Sequence, residues 1–116
     1  MKYQGNCHCG QVKFEAEGEL KQVLQCNCSL CSRKGSLLWF ISRDKFNLLT
    51  PEKNADTYTF NKHAIKHRFC PKCGIHPYAE AVDPKSGQPM AAINTRCLEG
   101  VDIAALPVKH FDGRAL

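Results

Sequence analysis

The 116-residue chain has no long hydrophobic run. Nothing in it approaches the stretch of about 18 apolar residues that a membrane-spanning helix needs. The opening Met1-Lys2-Tyr3-Gln4-Gly5-Asn6 carries no apolar segment behind its lysine, which argues against a secretory leader. No window of about 12 residues repeats its apolar positions at the helical period, so long amphipathic helices are not expected. Linkers, low-complexity tracts and internal repeats are also missing. The lysines are scattered (Lys2, Lys13, Lys21, Lys45, Lys53 and onward) and form no basic run, so nucleic acid is not an expected partner. These absences leave one compact domain over residues 1–116, placed in the cytoplasm and outside any membrane.

The composition supports a folded chain: 43% of residues are hydrophobic. Short β-type segments recur. Residues 11–17 alternate polar and apolar side chains, and Gly18 ends the alternation. Residues 37–41 form a brief apolar run, and residues 57–60 are rich in β-formers. Residues 67–69, 77–82 and 91–95 are further candidate strands, separated by the turn signals Thr50-Pro51, Asp83-Pro84, Ser86-Gly87 and Asp112-Gly113. Helical turns are expected only near residues 28–35 and 102–106. The fold class is therefore mainly β, with many short strands.

Cysteine is what the chain has in excess, with eight in all. In a reducing compartment, clustered thiols point to metal binding or catalysis rather than disulfides. Seven fall into three groups: Cys7-His-Cys9-Gly10, Cys26-Asn-Cys28-Ser-Leu-Cys31, and Cys70-Pro-Lys-Cys73-Gly74. In an extended strand, residues two apart face the same way, so Cys7/Cys9 and Cys26/Cys28 can each offer two sulfurs to one ion. Cys70 and Cys73 meet across a tight turn, with Gly74 where a left-handed backbone is expected. Two such pairs complete a four-sulfur zinc site. Cys7 and Cys9 with Cys70 and Cys73 are the strongest pairing, and an ion there would clip two stretches about 60 residues apart. The formal charge of +5 would fall to about +2 with seven thiolates on two divalent ions, so the basicity does not itself imply an acidic partner.

Cys26, Cys28 and Cys31 then remain as a trio. Three thiolates give a divalent ion a net charge of −1, which makes it a weak activator of water but a good acceptor for an incoming thiol. The trio reads as an open second zinc site with a catalytic role. Closure by His8, His63, His67, His76, His110 or Cys97 is the competing reading. An ordinary surface or hydrogen-bonded role is the expectation for each histidine, and a buried inert thiol for Cys97. Arg33 and Lys34 follow the trio; they either pair with an anionic substrate or form a solvated basic turn. Trp39 and Phe40 either wall a pocket or pack in the core.

Taken together, Gly5-Asn-Cys7-His-Cys9-Gly10-Gln-Val12-Lys-Phe14-Glu15, Cys26-Asn-Cys28-Ser-Leu-Cys31-Ser-Arg-Lys-Gly35, Phe69-Cys70-Pro-Lys-Cys73-Gly74, Asn94-Thr-Arg96-Cys97-Leu98 and His110-Phe111-Asp112-Gly113 resemble the glutathione-dependent formaldehyde-activating (GFA-like) family. The resemblance implies an Mss4-like fold of folded-over β-sheets, the β-tent type, stapled by zinc. It implies a structural zinc on Cys7, Cys9, Cys70 and Cys73 and a catalytic zinc on Cys26, Cys28 and Cys31. It also implies a carbon–sulfur lyase acting on S-hydroxymethylglutathione, the adduct of glutathione, a small thiol, with formaldehyde, a small aldehyde. The rival functions are a non-catalytic zinc module that binds a macromolecule, and a redox or metal-buffering protein.

Overall fold

A computed structural model describes residues 1–115. Ten strands and one short helix follow in the order β1 (Lys2–Asn6), β2 (Lys13–Glu17), β3 (Val23–Cys26), α1 (Ser29–Lys34), β4 (Leu38–Ser42), β5 (Phe46–Leu48), β6 (Asp56–Tyr58), β7 (Lys66–Phe69), β8 (Tyr78–Val82), β9 (Pro89–Asn94) and β10 (Val108–Phe111). The fold is mainly β, as the short alternating segments require. Single 3-10 turns fill several connections, including Ile103–Ala105 in the region expected to be helical.

The strands form two sheets. The smaller has the order β1-β2-β5, and the larger has the order β10-β3-β4-β9-β8-β7-β6. All pairings are antiparallel except that of β10 with β3. The alternation along β2 explains how the sheets meet. Phe14 and Ala16 are buried while Lys13 and Glu17 are exposed, so one face of the small sheet is apolar. That face presses on the large sheet. The Phe14 ring lies 5.2 Å from Phe46, and Phe46 lies 4.6 Å from Tyr78 across the interface. Trp39 and Ile41 on β4 and Ile93 on β9 complete this core. Each such side chain taken out of water contributes about 1.5–3 kcal/mol. Gly5 stands opposite Phe14 in the β1–β2 register, and a Cβ at that position would run into the Phe14 ring.

The other face of the large sheet is built differently. The register sets Phe40 of β4, Ala92 of β9, Ala79 of β8 and His67 of β7 in a row across it. Its central residues are small, and among the described residues no second sheet covers them. They floor a cavity of about 300 Å³, at the lower end of small-molecule pockets.

Candidate metal centres and active site

Two thiol clusters lie on opposite faces of the large sheet. In the first, the sulfurs of Cys7, Cys9, Cys70 and Cys73 all lie within 4.8 Å of one another. Cys7 follows the end of β1 and Cys70 follows the end of β7, so this cluster joins the small sheet to the large one. The sulfurs of Cys7 and Cys9 are 3.7 Å apart, and those of Cys9 and Cys70 are 3.6 Å apart. A tetrahedron with metal–sulfur bonds of about 2.3 Å has edges of about 3.8 Å. The spacing thus suits four thiolates around one ion and is too long for a disulfide. Backbone N–H groups point at the sulfurs: Val12 donates to Cys7 Sγ at 3.3 Å and Cys73 to Cys70 Sγ at 3.5 Å. Such donors hold ligand sulfurs in place around an ion.

Local geometry differs from the extended pairs expected for the CxC segments. Residues 8–10 form a turn after Cys7, closed by Gly10 N–H donating to the Cys7 carbonyl at 3.3 Å. The CxxC turn is as expected: Gly74 takes φ +79°, and its N–H donates to the Cys70 carbonyl at 2.8 Å. Both arms are therefore turns whose amides face the sulfurs, which an extended strand would direct sideways into a sheet.

The second cluster is Cys26, Cys28 and Cys31. Cys26 ends β3, and Cys28 is the N-cap of α1, where its sulfur accepts from the Cys31 N–H at 3.3 Å. Here too the i, i+2 pair spans a strand end and a helix cap rather than one strand. Among the described residues, no histidine, carboxylate or further thiol joins either cluster. Cys31 packs with Leu38, Ala79 and Ala92, so the trio sits at the wall of the alanine-floored cavity. Burial, then the Cys28 thiol, pushes the Cys31 thiol up to about 12. Burial also acts to raise Cys28, but the hydrogen bonds from the Cys31 amide, the Cys31 and Cys26 thiols and the Leu30 amide together outweigh it and lower that thiol. Without metal, the trio is unevenly protonated, and an ion must displace protons to enter. The donor set suits a soft divalent ion, and zinc fits both clusters.

The C-terminal segment holds the trio in place. The Asn27 side chain donates to Asp112 Oδ1 and accepts from the Arg114 N–H, each at 2.9 Å. The Asn27 N–H donates to the Phe111 carbonyl at 3.2 Å. Gly113 is pressed against the sulfurs: a Cβ there would lie 2.5 Å from Cys26 Sγ and 3.2 Å from Cys28 Cβ. Gly113→Ala is therefore expected to displace Cys26 and weaken metal binding at the trio by about 10–100-fold, the usual effect of disturbing ligand support. Native mass spectrometry during chelator titration should show one of two ions leaving early while the other stays. Asn27→Ala should act in the same direction.

The remaining candidates divide. Arg33 is exposed and donates to the Ser29 carbonyl at 2.7 Å, so it belongs to the solvated face of α1. Lys34 is only partly exposed and lines the cavity beside the trio. Burial lowers its ammonium below the ordinary value, and the three thiols pull it back up. Trp39 is in the core, edge-on to Tyr3 at 5.5 Å, whereas Phe40, one residue on, faces the cavity. His8, His63 and His110 are exposed. His67 departs from the surface or hydrogen-bonded role expected of it, being 6% exposed in the cavity wall with Nδ1 unpartnered. His76 also lines the cavity, and its Nδ1 is buried without a partner. Burial, then the charge of Lys34, lowers His67 to about 4, so its ring is neutral near pH 7. Cys97 lies outside both clusters; it is half-buried and receives the Asn94 side-chain N–H at 3.6 Å, and burial lifts it to about 11.

A mainly β chain with one thiol cluster joining its sheets and a second beside a cavity defines a class: small proteins built around paired cysteine centres able to hold metal ions. The particular family follows from comparison. The sequence matches the family model described as glutathione-dependent formaldehyde-activating enzyme over residues 2–111, and the chain belongs to that family. The fold is accordingly Mss4-like. It is similar to the crystal structure of a Rhodobacter sphaeroides protein studied in structural genomics, with a TM-score of 0.77 and 27% identity, covering 91% of this chain and 99% of that one.

Proposed function

We propose that this chain is a cytoplasmic, single-domain zinc enzyme that forms and breaks S-hydroxymethylglutathione from glutathione and formaldehyde, a carbon–sulfur lyase in the breaking direction. The observation that carries this reading is the trio itself: three thiols meet in a cavity wall and, among the described residues, no fourth protein ligand joins them. In this reading Cys7, Cys9, Cys70 and Cys73 hold a structural ion, and Cys26, Cys28 and Cys31 hold the catalytic one. Zinc on the trio would supply a soft Lewis acid that keeps an incoming thiol deprotonated at neutral pH.

The chemistry balances without an oxidant. The thiol sulfur adds to the aldehyde carbon, the carbon–oxygen π pair moves to oxygen, and that oxygen gains a proton as the thiol proton is lost. The chain's own residues serve this step in three ways. Lys34 places a cation beside the negative trio and offsets the charge that a further thiolate brings. The neutral imidazoles of His67 and His76 stand in the same wall, where a ring N–H can hydrogen-bond the aldehyde oxygen as it gains charge. The cavity holds the two reactants side by side, and such positioning accounts for most of the gain available in an addition this simple.

The test is exchange NMR of glutathione with carbon-13 formaldehyde, with the ions counted in the same sample. The two-metal protein is expected to speed adduct formation and breakdown, and Cys28→Ser is expected to lose that acceleration. A protein with both ions bound and no acceleration would rule the reaction out.

A further inference from the structure

The cavity is far larger than the aldehyde assigned to it. Its volume is about 300 Å³, roughly ten times the 30 Å³ or so that one water occupies in the liquid. A one-carbon aldehyde would fill a small part of it. Nor do the walls suit the body of a charged peptide thiol. The floor is Ala79, Ala81 and Ala92, and Phe40, Ile65 and Phe111 line the sides. These last three are also large apolar side chains left 43–45% exposed. Apolar side chains exposed in this way around a cavity are a mark of a ligand groove.

Polar groups are few: Lys34, His67, His76 and Asn94 in the wall with the trio, and Asn61 and Lys62 on the exposed connection between β6 and β7. Lys34, the three thiols, His67 and His76 all line the cavity, and Lys34 is near enough to the others for its charge to act on them. Asn94 is already committed, donating to the His76 carbonyl at 3.1 Å and accepting from the Arg96 N–H at 3.2 Å. Glutathione carries two carboxylates, an ammonium and two amides. Burying them against alanine and phenylalanine would strand most of them without partners. Its sulfur can reach the trio only with that polar tail at the mouth, in water. The apolar interior is then left for the body of the other reactant.

We infer that the electrophile this cavity takes is an apolar aldehyde of up to about eight carbons, its carbonyl at the thiol and imidazole end and its hydrocarbon chain over the alanine floor. This rests on the thiol–aldehyde reading above and alters its second substrate. The bond changes are the same: sulfur–carbon formed, carbonyl π bond opened, one proton moved from sulfur to oxygen.

The experiment uses the full chain with both ions bound, glutathione as the fixed thiol, and formaldehyde, butanal, hexanal and octanal as a series. Catalysed exchange per unit of enzyme, corrected for the spontaneous reaction, should rise about fourfold per added methylene until the cavity is full. Formaldehyde handled faster than hexanal would overturn the inference and leave the adduct chemistry standing. No acceleration with any member, formaldehyde included, would remove the adduct chemistry and the inference with it. A second readout needs no turnover: 1-butanol, 1-hexanol and 1-octanol are titrated while the methyl signals of Ala79, Ala81 and Ala92 are followed. Tightening affinity with chain length is expected, and no shift at these methyls would overturn the assignment. Ala81→Leu fills the floor at a half-buried position. It should cut the hexanal-to-formaldehyde rate ratio by about tenfold or more, with both ions retained; an unchanged ratio would place the aldehyde elsewhere.

Discussion

Cys70→Ser is expected to leave the chain largely unfolded at 25 °C, while Cys28→Ser stays folded and binds one ion instead of two. The difference follows from where the thiols sit. Cys7 and Cys70 are fully buried, and their cluster joins β1 of one sheet to β7 of the other. A structural zinc contributes about 10–16 kcal/mol in small metal-dependent domains, comparable to the whole net stability of about 5–15 kcal/mol typical of a domain. A serine hydroxyl is a hard, protonated donor and does not replace the thiolate. The trio, by contrast, lies on the far face of the large sheet, against Leu38, Ala79 and Ala92. Position 28 is also the N-cap of α1. Serine is among the preferred N-caps, so the substitution keeps the helix start while removing the soft ligand. Circular dichroism melts and metal counts on the two variants should separate clearly. Equal loss of folding would show that both clusters staple the fold and that the trio has no separate task.

The thiol clusters were readable because metal-ligand spacing is local: CxC and CxxC each hold two sulfurs within a few residues, whatever the rest of the chain does. Strands β2, β4, β6, β7, β8 and β9 were readable for the same reason, each carrying its own alternation or β-rich composition. Strands β1, β3, β5 and β10 were not. β5 has three residues, and β10 is exposed throughout, so neither shows a period. Their pairing depends on partners far along the chain, as when Val108 of β10 lies beside Val23 of β3. The cavity was also hidden. Ala79, Ala81 and Ala92 mark strands in the sequence, but nothing local says that the sheet face they share lacks a covering layer. Lys34 and Arg33 are neighbours with the same charge, and only the docking of α1 puts one in the cavity wall and the other in water. Trp39 and Phe40 were more legible than they seemed. Adjacent residues on a strand point to opposite faces, so one role could not have served both. Gly113 gives no local sign of its contact with Cys26, because 87 residues separate the two and only the β3–β10 pairing brings them together.

Arg68→Ala should cost about 2–4 kcal/mol, from truncating a buried side chain and leaving two carbonyls without their donor. The Arg68 side chain is 6% exposed and bridges in two directions. Its Nη1 donates to Glu52 Oε1 at 3.3 Å and Glu80 Oε2 at 3.2 Å, and its Nη2 to the carbonyls of Glu52 at 2.9 Å and Ala55 at 3.1 Å. It thus ties β7 to strand β8 and to the turn before β6. Alanine leaves the Ala55 and Glu52 carbonyls without this donor, while Glu80 keeps Arg43 at 3.3 Å. Lysine should recover only part of the loss, since a single ammonium cannot span acceptors on both sides. The damage should reach the cavity as well. Arg68 and His67 are neighbours on opposite faces of β7, and His67 pairs with Ala79 of the cavity floor. Loosening β7 therefore loosens that floor and the strand that leads into Cys70. Urea unfolding of the metal-loaded protein gives the stability, and alkanol titration of Arg68→Lys gives the effect on the cavity. Methionine at this position fills much of the space without a charge. If Arg68→Met unfolds within about 0.5 kcal/mol of the parent, packing alone holds this corner and the ion network contributes nothing net; a loss above about 2 kcal/mol assigns the stability to the four bonds that the guanidinium makes.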